Sequence, residues 1–214
     1  LTNLVWARIE DLEQVKCSAN WMWAPKLAGE GAAMVDAALA MRDAMIGVGM
    51  AVDGGKDSLS MATMVGKETV KSPRQLVISA YAAMPDIRKV VTPDIKQPGS
   101  WLLLIDLAPG KARLGGSALA QVYGQIGDQS PDLDDTALLK KAFLTVQDLI
   151  DQDMILAGHD RSDGGLITTV LEMAFSGNCG LELEMETTAS ALAALFSEEL
   201  GLVIECRPEA LDQL

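Results

Sequence analysis

Apolar residues recur at helical spacing through residues 29–48, where Ala, Met, Val and Leu alternate with few charges and Gly47 and Gly49 lie near the end. The spacing predicts a core helix. Residues 136–151 place Leu138, Leu139, Ala142, Phe143, Val146, Leu149 and Ile150 on one broad face, predicting an amphipathic helix. Residues 166–175 repeat the pattern and are stopped by Gly177-Asn178-Cys179-Gly180, and residues 191–196 predict a shorter helix. Other segments carry the signature of strands. Residues 75–82, rich in branched and aromatic side chains, follow Ser72-Pro73, and residues 101–107 form an apolar run that predicts a buried strand. Residues 154–157 predict a strand that delivers the chain to His159, residues 181–185 alternate like a half-exposed strand, and another apolar run covers 201–206.

Glycine, proline and charge punctuate these elements. Asp53-Gly54-Gly55-Lys56-Asp57-Ser58-Leu59-Ser60-Met61 predicts a tight polar turn between apolar flanks. Residues 84–99 contain Pro85, Pro93 and Pro98 among charged side chains, the composition of a connection between compact units. The expected division is therefore a lobe over residues 1–90 and a second over 91–214. In the second, Leu114-Gly115-Gly116-Ser117-Ala118-Leu119-Ala120-Gln121 offers small residues for close packing. Strands and helices alternate there, which predicts a mixed α/β (α+β) layer with helices packed on a sheet.

Composition narrows the classes of partner. The 214 residues are 49% hydrophobic, ample for a core, and 17 basic against 30 acidic side chains give a formal charge of -13. That field opposes general binding to nucleic acid or to an anionic membrane, so a phosphate ligand must be held locally, by backbone amides, a bridging cation or single lysines. Cys17, Cys179 and Cys206 form neither a disulfide framework nor a zinc pair, which fits a reducing cytoplasm, and each is expected to be a buried, inert thiol. No run has the length of a membrane span, and the first residues lack a secretory pattern. The chain begins without Met, as if a helix were already under way, which predicts an excised piece of a longer polypeptide.

The densest candidate chemistry lies in His159-Asp160-Arg161-Ser162-Asp163-Gly164-Gly165-Leu166, directly before a predicted helix. Helix-start amides attract anions, and aspartate oxygens suit Mg²⁺, which keeps substrate phosphates as ligands. These features predict a magnesium-nucleotide site; the alternative is that Asp163 caps the helix while the glycines make the turn. Lys56 could reach a phosphate from its glycine turn, although the string matches neither a P-loop nor a dinucleotide fingerprint, and a solvated turn is the alternative. His159, the single histidine, is either a general base or a residue that orients the loop.

Three ordered strings, Leu1-Thr2-Asn3, residues 52–61 and residues 159–166, resemble the phosphoribosylformylglycinamidine synthase family. Ser18-Ala19-Asn20-Trp21-Met22, residues 25–30, residues 114–121 and Glu172-Met173-Ala174-Phe175 extend the resemblance over nearly the whole chain. It points to part of the second half of the synthetase region in the family's large, single-chain form. The resemblance implies an incomplete β-rich lobe like that of aminoimidazole ribonucleotide synthetase, followed by an α/β sandwich lobe. It implies Mg²⁺ held by Asn3 and Asp160, ATP or ADP contacted by Ser162, and Lys56 and Asp163 as further nucleotide contacts. No catalytic residue is assigned.

By the same resemblance, the intact parent is a ligase with glutamine as amido donor. ATP activates the amide oxygen of formylglycinamide ribonucleotide, and ammonia then gives the amidine of de novo purine biosynthesis. Its partners would be the remaining synthetase and glutaminase domains of one chain, and the excised segment alone is expected to be inactive and either to self-associate or to be marginally stable. Other readings are a structural module with a non-catalytic auxiliary nucleotide site, or another ATP-dependent member of the superfamily acting on selenide or a maturation substrate.

Overall fold

The computed structural model describes residues 1–185 and 189–213. The chain gathers into two compact units, one of Ile9–Met84 and one that combines Leu1–Arg8 with Pro85–Leu214.

In Ile9–Met84 the central strand is β1, Lys16–Met22, whose period-two pattern buries Cys17, Ala19 and Trp21. It lies parallel to β2, Ala51–Ser58, across a crossover through helix α1, Glu30–Val48. A hairpin of β3, Ala62–Val65, and β4, Glu68–Lys71, precedes β5, Gln75–Tyr81, which closes the sheet in the order β2-β1-β5. The expected turn over 53–61 is thus largely a strand. Gly55 sits opposite Ala19, and a Cβ there would run into the Ala19 carbonyl, so the glycine serves close approach of two backbones, not reversal of one.

Helix α1 also departs from the core helix expected of it: only Glu30 and Val48 are buried, while Val35 and Ile46 are 58% and 72% exposed. Its apolar side chains run right round the helix, so no single face collects them. The buried Glu30 instead anchors its start. The carboxylate accepts from Arg74 Nε at 2.9 Å and from Lys71 Nζ, while its backbone carbonyl accepts from Trp23 Nε1 at 3.0 Å. Arg74 and Lys71 hold the carboxyl down to about 2, against an opposing push from burial.

The unit of Leu1–Arg8 and Pro85–Leu214 is built on an antiparallel sheet, β6 (Trp101–Asp106), β7 (Ile155–Arg161) and β8 (Gly201–Cys206), ordered β6-β8-β7. Its helices are α2 (Ala118–Val122), α3 (Thr136–Asp151), α4 (Gly165–Gly177) and α5 (Ala191–Phe196). Ala157, Leu166, Val170, Met173 and Val203 form a core cluster shared by β7, α4 and β8. Leu166, Val170, Met173 and Val203 each contribute about 1.5–3 kcal/mol by leaving water. Strand β6 is not wholly buried as expected, with Trp101 55% and Leu104 39% exposed, because it is an edge strand paired only with β8. Residues 181–185 form no strand; Leu181 packs as a half-buried side chain against the core cluster.

Helix α3 buries Leu139, Ala142, Phe143, Val146 and Ile150 as its pattern dictates, and also Gln147. That amide donates to the carbonyl of Val5 at 2.7 Å, fixing the 3-10 turn Leu4–Trp6. The same segment is tied by Trp6 O accepting from Val91 N at 2.8 Å, by Arg8 N donating to Lys89 O at 2.9 Å and by an Arg8–Asp151 ion pair at 2.7 Å. In β8, fully buried Glu205 collects the loop before β6 by accepting from Lys96 N, Gln97 N and Ser100 Oγ. No described helix is long and apolar enough to cross a membrane.

Candidate functional site

Strand β7 carries His159, Asp160 and Arg161 as sheet residues, and the chain leaves the sheet at Ser162. Gly164 and Gly165 both lie in the left-handed region, with φ of +85° and +74°, and α4 begins at once. A side chain is also excluded sterically at Gly165, where a Cβ would stand 2.6 Å from Phe196 C and 2.7 Å from Leu195 O. The diglycine therefore lets the strand reverse into α4 while the helix start touches α5.

Asp160 is 8% exposed, and its backbone carbonyl accepts from Thr169 Oγ1 at 3.2 Å, tying the strand to α4. Ser162 and Asp163 are exposed at the turn. Asp163 does not cap α4: the N-cap is Gly164, without a side-chain hydrogen bond. His159 is held from both sides, Nε2 lying 2.9 Å from Glu172 Oε2 and Nδ1 3.5 Å from Asp160 Oδ1, which agrees with an orienting histidine.

Arg161, given no role from sequence, is buried. It donates through Nη2 to Leu200 O at 2.8 Å and to Asp106 Oδ1 at 3.0 Å, and through Nε to Glu199 O. Glu199 is itself buried, and although burial pushes its carboxyl up, the Arg113 bonds at 2.6 and 2.7 Å outweigh this and hold it below the ordinary range. Next to it, Glu198 Oε1 accepts from Gly164 N at 2.8 Å and from Ala118 N at 2.8 Å. Sequence gave no cue to this pair, because a double acid before a strand says nothing about which distant amides will meet it.

Asn3 is exposed just before the Leu4–Trp6 turn and makes no capping bond. The Trp6 ring lies against Gly158, where a Cβ would collide with it, and Gly158 precedes Asp160 by two residues in β7. The segment carrying Asn3 is thereby held beside the strand carrying Asp160. Lys56 belongs to Ile9–Met84, where it is exposed on β2 and its Nζ donates to Ser58 Oγ at 2.7 Å. Among the described residues, no three His, Cys, Asp or Glu side chains gather to hold a metal. An amide oxygen and a carboxylate nevertheless suit Mg²⁺, a hard cation that keeps waters and phosphate oxygens in place of a full protein cage. Cys17 and Cys206 are buried, with thiols pushed up by burial, whereas Cys179 is exposed, contrary to expectation, because it follows the Asn178 cap of α4.

Residues 1–83 match the FGAR-AT PurM_N-like domain, and residues 97–214 match the C-terminal domain of AIR synthase related proteins. A probable phosphoribosylformylglycinamidine synthase, chloroplastic/mitochondrial, of Arabidopsis thaliana is 59% identical over 99% of this chain and 15% of its own length. The phosphoribosylformylglycinamidine synthase of Homo sapiens is 54% identical over 100% of this chain and 16% of its own length, so the chain spans about a sixth of these relatives. Among solved structures, T. maritima PurL complexed with ATP shares the fold at a TM-score of 0.57 and 13% identity, over 93% of this chain and 30% of that one. With both halves of its length matched by synthase-type domains and its identity sustained from end to end, the chain belongs to the phosphoribosylformylglycinamidine synthase family.

Proposed function

We propose that this chain is a segment of an ATP- and glutamine-dependent carbon-nitrogen ligase that converts formylglycinamide ribonucleotide to formylglycinamidine ribonucleotide in de novo purine biosynthesis. Within that ligase it contributes to a magnesium-nucleotide site. The observation that carries the activity is the 59% and 54% identity to the two synthases over essentially the whole chain. Asp160 and Asn3 are the cation's protein ligands, Ser162 donates to the nucleotide, and Asp163 stands at the same turn. Bound Mg²⁺ would offset negative charge on the phosphate oxygens. The chain's own residues supply donors in fixed places: β7 presents Asp160, the diglycine exposes Ser162, and the Trp6–Gly158 contact holds the segment of Asn3 beside them. The remaining synthetase and glutaminase domains are the partners, and three free cysteines support a reducing, cytoplasmic setting.

A non-catalytic, fold-stabilising nucleotide site is the second reading, and one arrangement favours it. Beside the turn the imidazole of His159 is already engaged by two carboxylates, Glu172 Oε2 at 2.9 Å and Asp160 Oδ1 at 3.5 Å, an arrangement that orients the ring and does not leave it open to a substrate. Asp160→Ala in the full-length synthase separates the two. Loss of Mg-ADP binding by calorimetry together with lost turnover supports a catalytic site, and lost binding with unchanged initial turnover supports the auxiliary one. Undiminished binding would overturn both.

A further inference from the structure

Two acidic residues in succession link α5 to β8, and they are neutralised in different ways. Glu199 is matched by Arg113. Glu198 directs a single oxygen at two backbone donors, Gly164 N and Ala118 N, each at 2.8 Å. Those amides belong to different segments: Gly164 ends the turn that displays Ser162 and Asp163, and Ala118 opens α2 inside the small-residue string 114–121. Two strings far apart in the chain are thus fastened to one carboxylate.

We propose that Glu198 is a positioning residue for the nucleotide, fixing the turn 162–164 so that Ser162 meets the phosphate while Asp160 meets the cation. The inference rests on reading this turn as a magnesium-nucleotide site. Two consecutive glycines with positive φ have the widest conformational freedom of any dipeptide, and the chain must restrain them if Ser162 is to hold one orientation. One restraint is local, Gly165 N donating to Ser162 O at 2.9 Å. The other is Glu198, which anchors the turn from outside. Glu198 also occupies the Gly164 amide, which would otherwise attract a phosphate oxygen, and so leaves the hydroxyl of Ser162 and the cation as the phosphate's partners.

The test uses the full-length synthase, with Mg-ADP affinity measured by calorimetry and melting measured without nucleotide. Glu198→Ala is expected to weaken Mg-ADP by about 10–100-fold, the usual cost of removing a residue that orients a ligand. Glu198→Gln keeps an oxygen of the same reach and is expected to stay within a few-fold of wild type, whereas Glu198→Asp falls short and binds weakly. Added acetate, but not chloride at equal ionic strength, should restore binding to Glu198→Ala. Should Glu198→Ala not fold, the contrast between Gln and Asp decides. Wild-type affinity in Glu198→Ala or Glu198→Asp, or equal losses in Gln and Ala, would overturn the proposal provided Ser162→Ala has lost affinity. Full affinity in Ser162→Ala would instead overturn the nucleotide reading beneath it.

Discussion

Gly165→Ala tests whether the tight seat of α4 on α5 is a steric requirement. An alanine at φ +74° costs about 1–2 kcal/mol because its Cβ crowds the following carbonyl in the left-handed region. The Cβ would also stand 2.6 Å from Phe196 C and 2.7 Å from Leu195 O, backbone atoms that cannot rotate aside, and overpacking of this kind costs about 1–3 kcal/mol. The expected total is about 2–5 kcal/mol. Gly110→Ala is the internal control: its φ is +76°, yet nothing lies within 4 Å of the added atom, so only the first part, about 1–2 kcal/mol, should appear. For a chain of this size a kilocalorie moves the melting midpoint by about 2–4 °C, so Gly165→Ala should melt roughly 4–20 °C lower and Gly110→Ala roughly 2–8 °C lower. Denaturant unfolding of both variants checks the difference in energy. Equal destabilisation of the two would refute the steric argument and leave backbone strain as the whole cost.

Two further expectations follow from buried polar groups. Glu30 ionises at about 2 against an ordinary 4.5, a lowered value, so its contribution is fully present above about pH 4.5 and is lost as pH falls from there toward 2. Urea midpoints followed through that window should fall more steeply for wild type than for Glu30→Gln, and parallel slopes would contradict the Arg74–Lys71 clamp. Gln147→Leu keeps the volume but leaves Val5 O without its donor, which should cost about 1–3 kcal/mol. Hydrogen exchange at residues 4–8 should quicken, and unaltered exchange there would show that Gln147 does not anchor the turn.

Local periodicity revealed the elements whose burial follows from their own pattern. The stripe on Thr136–Asp151 anticipated nearly every buried residue of α3, and the apolar spacing after Gly165 anticipated α4. What escaped was decided across the chain. Gln147 is buried because a carbonyl 142 residues earlier receives its amide, a partner invisible to any window. Gly54-Gly55-Lys56-Asp57 has the composition of a turn, and only the neighbouring β1 makes it a strand. Strand β1 alternates buried Cys17, Ala19 and Trp21 with Ser18 and Asn20, polar residues that dilute the branched character by which a strand is recognised. At the candidate site the sequence exposed the residues that point outward, Ser162 and Asp163, and concealed those that brace them, Arg161 and Glu198, whose partners are backbone groups from other segments.

The Leu4–Trp6 turn has a practical corollary for anyone dissecting the protein. A piece cut between Met84 and Pro85 would leave its own opening octapeptide on the other side of the scissors, stripping Gly158 of its indole lid and Gln147 of its acceptor. An independently expressed version of this half would need Leu1–Arg8 grafted ahead of Pro85, or supplied as a complementing peptide, to regain its native surface.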